Sequence, residues 1–241
     1  MKWLLLVAMS LLTFAAYQAP PAKFFPEPEL ARIIFFHLPC AFSTVVFVIF
    51  ASICSWKYLS TKEWIWEFRA HAATDLSLGV AVATMLSGML FSEVQWGAWW
   101  HWDPRQTSFL IVLLLLGAYF AVRMAFDDEV ARARVAATYS TLTLLPILFL
   151  FFVFPRLPQV AKNTLHPNTT IQSGGFSPEY WRVILGIFAL LLCTCVWLYK
   201  LHVRTSVLEL ALKDKDGNLE TSGSHTTAHR VDRSVSVRES D

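Results

Sequence analysis

The chain has 241 residues, of which 55% are hydrophobic and 16% charged, with a mean hydropathy of +0.47 and a formal charge of +2. A soluble domain runs nearer ~45–50% apolar and ~25% charged, and here the apolar residues stand in long runs rather than one-sided stripes. These values exclude a disordered chain and a soluble nucleic-acid binder, and they predict an all-α, polytopic membrane bundle.

Six segments approach the ~20 apolar residues that a helix needs to cross a bilayer, at residues 3–19, 33–56, 72–92, 107–124, 136–154 and 183–201. Each should be helical, because hydrocarbon offers the backbone no hydrogen-bond partner and a helix satisfies its own amides. The first segment follows Lys2 and ends in Ala15-Ala16-Tyr17-Gln18-Ala19. It reads as an uncleaved first span, with a secretory signal peptide as the alternative. Lysines and arginines near the span ends set the orientation. Loop 57–71, loop 125–135 with its flank, the last span's C-terminal flank and Lys2 carry eleven of them, against six on the other side. Both termini are therefore expected in the cytoplasm, with loops 20–32, 93–106 and 155–182 facing outward. From about Thr205 the chain turns polar and mixed in charge, which predicts an unpacked cytoplasmic tail over 205–241 after a membrane domain at 1–204.

Cys40, Cys54, Cys193 and Cys195 all fall within apolar spans and read as small hydrophobes. No Cys-x-x-Cys-His motif is present, so the chain is not itself a c-type cytochrome. The outward loop after the third span carries Trp96-Gly97-Ala98-Trp99-Trp100-His101-Trp102-Asp103-Pro104-Arg105-Gln106-Thr107, with four of the ten tryptophans inside seven residues. An interfacial aromatic belt accounts for one or two indoles per helix end but not for this cluster. Several indoles at the membrane boundary make a broad, polarizable platform suited to a large planar apolar ligand. Asp103 before Pro104 is placed to cap the fourth helix, and Arg105 in its first turn could meet an anionic group on a ligand. Two more outward residues flank this loop: His37 at the start of the second span and His166 before the sixth. Neutral imidazole is a good iron ligand, and two of them over an aromatic floor are what a heme requires. His71 and His202 at cytoplasmic ends, and His225 and His229 in the tail, read as background, while His101 is a weaker candidate.

The tryptophan string closely resembles the WWD signature of the heme-handling proteins of cytochrome c maturation. With six spans and a single flanking histidine pair, the chain is identified as a member of the heme exporter protein C (CcmC) type, over residues 1–204. The resemblance implies a heme platform of Trp96, Gly97, Trp99, Trp100, Trp102 and Asp103, and axial metal-ligand positions at His37 and His166. Arg32 and Arg105 match basic positions, to which we assign propionate contact. It implies further a carrier rather than an enzyme, in the cell inner membrane with its heme site on the periplasmic face. Heme b would be bound transiently and delivered to a periplasmic heme chaperone of the CcmE type. ABC-type partner subunits of the CcmA, CcmB and CcmD types would supply energy, since the chain has no Gly-x-x-x-x-Gly-Lys-Ser/Thr phosphate loop. The alternative is a membrane b-type cytochrome subunit, which would need histidine pairs within the spans. A transporter is a third class, resting on Asp75 and Pro146 alone.

Overall fold

A computed structural model describes residues 2–22, 25–166 and 176–223. All regular structure among those residues is helical, without a strand. Seven α-helices follow in order: α1 (Lys2–Gln18), α2 (Ile34–Thr61), α3 (Trp64–Trp96), α4 (Pro104–Met124), α5 (Glu129–Leu148), the single turn α6 (Pro158–Ala161) and α7 (Pro178–Gly223). A 3-10 turn at Leu30–Ile33 leads into α2. A π-helical turn at Phe149–Val153 carries α5 onward to Phe154–Arg156.

Among the described residues, five helical segments are long and apolar enough to cross a membrane: Leu30–Thr61, Trp64–Trp96, Pro104–Met124, Glu129–Arg156 and Pro178–Lys213. The first expected span is the shorter apolar α1, whose 17 residues reach about 26 Å at 1.5 Å per residue. The last helix does not end near Lys200 but continues past Thr205, through a good helix-forming stretch containing Leu208, Leu210 and Leu212. Lys213 there meets Glu129 of α5 at 2.9 Å. Residues 224–241, the rest of the expected tail, lie outside the described residues.

Helix ends follow local chemistry. Asp103 caps α4, accepting from the Arg105 amide at 2.8 Å with Pro104 in the first turn. Asp128 does the same for α5, accepting from Ala131 N at 2.6 Å. Gly97 closes α3 at φ +77°, a left-handed conformation that glycine adopts without a Cβ clash.

The interior is lined by small residues. Ala51, Ala72, Ala73, Ala81, Ser43, Ser52, Ser55 and Ser77 are buried, while Leu86, Leu114, Leu142, Leu145 and Leu185 are exposed. Lipid is as apolar as leucine, so helices associate in hydrocarbon through close backbone approach and hydrogen bonds rather than by hiding large side chains. α2 packs along α3, with α5 and α7 against α2 and α4 against α3 and α5. Ser52 of α2 donates to Ser140 O of α5 at 2.8 Å, and Tyr139 of α5 donates to Leu115 O of α4 at 3.0 Å. α1 lies on α7, where a Cβ on Gly186 would come within 3.0 Å of Leu12.

Among the described residues, the least exposed arginine–carboxylate pair joins α4 to α3. Arg123 of α4 holds Glu67 of α3 at 2.5 Å, with side chains only 14% and 6% exposed. Removing one partner strands the other charge, which costs about 3–5 kcal/mol. Glu67→Ala should therefore lower the thermal midpoint in detergent well below wild type, and the double variant Glu67→Leu/Arg123→Leu should recover most of the loss.

Candidate functional site

The three connecting segments expected on one side of the membrane do meet at one end of the bundle. The Gln95 side chain near the end of α3 pairs with both backbone groups of Glu27, accepting from its amide at 3.0 Å and donating to its carbonyl at 2.9 Å. Phe25 packs edge-on against Phe91 at 5.5 Å and stacks on Phe176 at 6.4 Å. These contacts bring the segment before α2 and the start of α7 onto the end of α3.

The tryptophan loop is built between two fixed points. At its start, Ser92 donates to Ala98 O at 2.8 Å and Gly97 turns the chain. At its end, the buried Gln106 accepts from His101 N at 3.1 Å and donates to Trp99 O at 3.3 Å. Trp102 is held at φ +53°, an uncommon conformation for a residue with a Cβ. The loop therefore presents its indoles outward: Trp99 is 51% and Trp102 74% exposed. Trp100 meets Trp102 edge-on at 5.6 Å. Trp96 lies deeper, against Phe91 at 5.5 Å, His101 at 6.4 Å and His166 at 5.5 Å.

Asp103 is the hub. It is 2% exposed, and besides capping α4 it reaches across to the segment before α7. Its carboxylate accepts from the Thr164 hydroxyl at 2.7 Å, from Leu165 N at 2.6 Å and from His166 Nδ1 at 3.0 Å. Burial alone would raise the pKa of this acid. The hydrogen bond and charge of His166, the Thr164 hydroxyl and the Arg105 amide outweigh it and hold the group well below the usual carboxylate range. With Nδ1 engaged by a carboxylate, the lone pair of the neutral His166 ring is placed on Nε2.

His37 is presented in a parallel way by α2. Its Nδ1 lies 3.1 Å from Ser87 Oγ of α3. Gly88 beside it has no side chain to keep the ring away: a Cβ there would stand 3.0 Å from His37 Cε1.

The chain matches the family described as heme exporter protein C over residues 1–218. It belongs to that family. Heme exporter protein C of Bradyrhizobium diazoefficiens is 28% identical over 179 residues, 73% of this chain and 66% of the relative. The protein of the same name from Rhodobacter capsulatus is 25% identical over 186 residues, covering 76% and 75%. A cytochrome c biosynthesis ccmC-like mitochondrial protein of Marchantia polymorpha is 29% identical over 154 residues, covering 64% and 62%.

Within this heme exporter C chain, His166, Trp96 and Asp103 come into direct contact, and Asp103 binds the Arg105 amide. Arg32 is turned elsewhere. Its guanidinium pairs with Glu29, donates to Ala19 O at 2.8 Å and lies 5.7 Å over the Tyr17 ring, which ties the start of α2 to the end of α1. Ser87, Gly88, Thr164 and Gln106 have roles here that the sequence analysis does not assign. A Ser-Gly pair inside an apolar span is the one local hint, and nothing local links Thr164 to Asp103, 61 residues away.

At the other end of the bundle, two histidines read as background come together. His71 and His202 face each other with ring centroids 5.6 Å apart and Asp75 beside both.

Because the Asp103 pKa lies below its unfolded value near ~3.9, the stability it contributes is present above that value and lost only as pH falls through the depressed one. Hydrogen-exchange protection of Leu165 N, corrected for intrinsic rate, should therefore persist from pH 8 to about pH 4. In Asp103→Ala it should be lost across that whole range.

Proposed function

We propose that this chain is a carrier in heme export for cytochrome c biogenesis, and not an enzyme. It binds heme on the tryptophan loop between His37 and His166. The observation that carries the reading is the matched presentation of the two imidazoles. Each has Nδ1 engaged by the protein, by the Asp103 carboxylate or the Ser87 hydroxyl, so each can offer Nε2 to iron. A metal-bound histidine characteristically gives its other nitrogen to such a partner, which fixes the tautomer and the ring orientation.

The donor set suits heme as cargo. Trp99 and Trp102 leave a broad indole surface open, and apolar contact with a porphyrin needs area rather than enclosure. A ligand held at an open loop surface by two imidazoles can be exchanged toward a second protein without unfolding the carrier. The bound species in this reading is heme b, held transiently. Its recipient is a periplasmic heme chaperone of the CcmE type. The chain itself supplies no nucleotide-binding loop, so ABC-type subunits of the CcmA and CcmB types, with CcmD, are its partners in the complex.

The placement follows from charge. The lysine- and arginine-rich loops between α2 and α3 and between α4 and α5, with the flank of α7, lie at the end away from the tryptophans. The positive-inside rule puts that end in the cytoplasm. The tryptophan loop then faces the periplasm from the inner membrane. Arg105 remains the propionate contact in this reading. Arg32 can serve as one only by giving up its ties to Glu29 and Ala19.

Protein purified in mild detergent from heme-supplied cells should show a Soret band. His37→Ala/His166→Ala should abolish it and stop cytochrome c production. Gly88→Val, which pushes the His37 ring aside, should lower it severalfold. A double histidine variant with unchanged heme content and unchanged cytochrome c output would overturn the reading.

A further inference from the structure

The cluster at the end of the bundle opposite the tryptophan loop is independent of the heme reading. His71 and Asp75 stand one turn apart near the start of α3, and His202 comes from α7. Their ligand atoms all lie within 4.8 Å of one another, and they are the only such group among the described residues. His202 Nδ1 is 3.2 Å from Asp75 Oδ2, and His71 Nδ1 is 3.8 Å from Asp75 Oδ1. The first separation is a normal hydrogen bond or ion pair. The second is too long for a hydrogen bond, and His71 Nδ1 is buried with no partner.

A buried ring nitrogen without a partner is costly, and its position suits a specific purpose. In a tetrahedral site with Zn–N and Zn–O bonds of ~2.0–2.2 Å, neighbouring ligand atoms are separated by about 3.3–3.6 Å. The 3.2 Å pair is close to that edge length, the 3.8 Å pair involves the other Asp75 oxygen, and one ligand atom from each of the three residues lies within 4.8 Å of the others. An ion between the three groups would bond the orphaned nitrogen as well as the two atoms already paired.

The surroundings allow a positive ion. Arg123 lies beyond Tyr119: the Tyr119 ring is 6.2 Å from the His71 ring, and its hydroxyl is 3.4 Å from Arg123 Nη1. Arg123 is held by Glu67 at 2.5 Å, and Arg132 is 3.9 Å from Glu129. Both arginines face carboxylates of their own, and Asp75 supplies the negative charge between the two imidazoles. The three side chains keep 27%, 29% and 35% of their surface, enough for an ion and a water to enter from the aqueous side.

We propose that His71, Asp75 and His202 form a binding site for a first-row divalent transition cation, of the Zn2+ or Fe2+ class, pinning α7 onto α3. Two imidazoles and one carboxylate are the ligand types those ions favour, and three protein ligands leave a position for water. Coordination through Nδ1 puts the proton of each ring on Nε2, which faces away from the ion.

The test uses the full chain in detergent, purified without a histidine tag, stripped with chelator, and carrying His225→Ala/His229→Ala so that the tail imidazoles cannot contribute. Titration with Co2+ should give about one equivalent and a visible d–d band of the intensity expected for four- or five-coordinate cobalt. His71→Gln, His202→Gln and Asp75→Asn should each weaken uptake about tenfold or more, as loss of a ligand requires. A second measurement needs no variant at these positions: Zn2+ should raise the thermal midpoint of the stripped protein, by linkage. Uptake unchanged in the three variants overturns the site, as does stripped protein that shows neither a cobalt band nor a shift of its midpoint with Zn2+.

Discussion

A carboxylate with almost no access to solvent keeps its charge only if donors surround it. Asp103 meets that condition from two directions: the first turn of α4 supplies the Arg105 amide, and residues 164–166 supply a hydroxyl, an amide and an imidazole. The same negative charge that favours the positive end of α4 therefore anchors a loop 61 to 63 residues further along the chain. Without it, the turn of the tryptophan loop into α4 and the position of His166 would be separate problems. With it they are one. The strained Trp102 immediately before it is tolerated because the residues on either side are held by Gln106 and by this carboxylate.

The rest of the bundle supplies a frame for that hub. Small side chains let α2 and α3 approach closely, and at the tryptophan end the approach becomes specific: Gly88 makes room for the His37 ring and Ser87 takes its Nδ1. Gln95 and Phe91 fasten the segment before α2 to the same helix end. Both imidazoles are thus held by hydrogen bonds, while the indoles of Trp99 and Trp102 stay open. The proposed heme carrier would draw on that combination of fixed polar anchors and uncovered apolar area.

Charged groups collect at the ends of the helices for the same reason that the middle is small and apolar: hydrocarbon penalises any uncompensated charge. At the end away from the tryptophans, Arg123 with Glu67, Lys213 with Glu129, and the His71, Asp75 and His202 cluster join α4 to α3, α7 to α5 and α7 to α3. α7 is held at both ends, by Phe176 and Tyr180 near its start and by these polar contacts beyond the apolar stretch. Its continuation past Thr205 follows from that anchoring as much as from helix propensity.

The spans, the helix cap at Asp103 and the concentration of tryptophans were all legible in the chain, because each is a property of residues adjacent in sequence. An apolar run of about 20 residues is a helix in a membrane whatever it packs against, and an Asp-Pro pair before such a run is a cap. Those local facts, with the WWD string, were sufficient to indicate the family. Which face of each helix turns inward was not legible, since a helix that is apolar all round has no stripe to announce its buried side. The tertiary packing alone decided that Gly88 meets His37 and that Asp103 clasps His166. They also brought His71 and His202 to one carboxylate. Long-range pairing of this kind leaves no periodic trace in a sequence, because it is set by the packing of whole helices and not by the neighbours of any one residue.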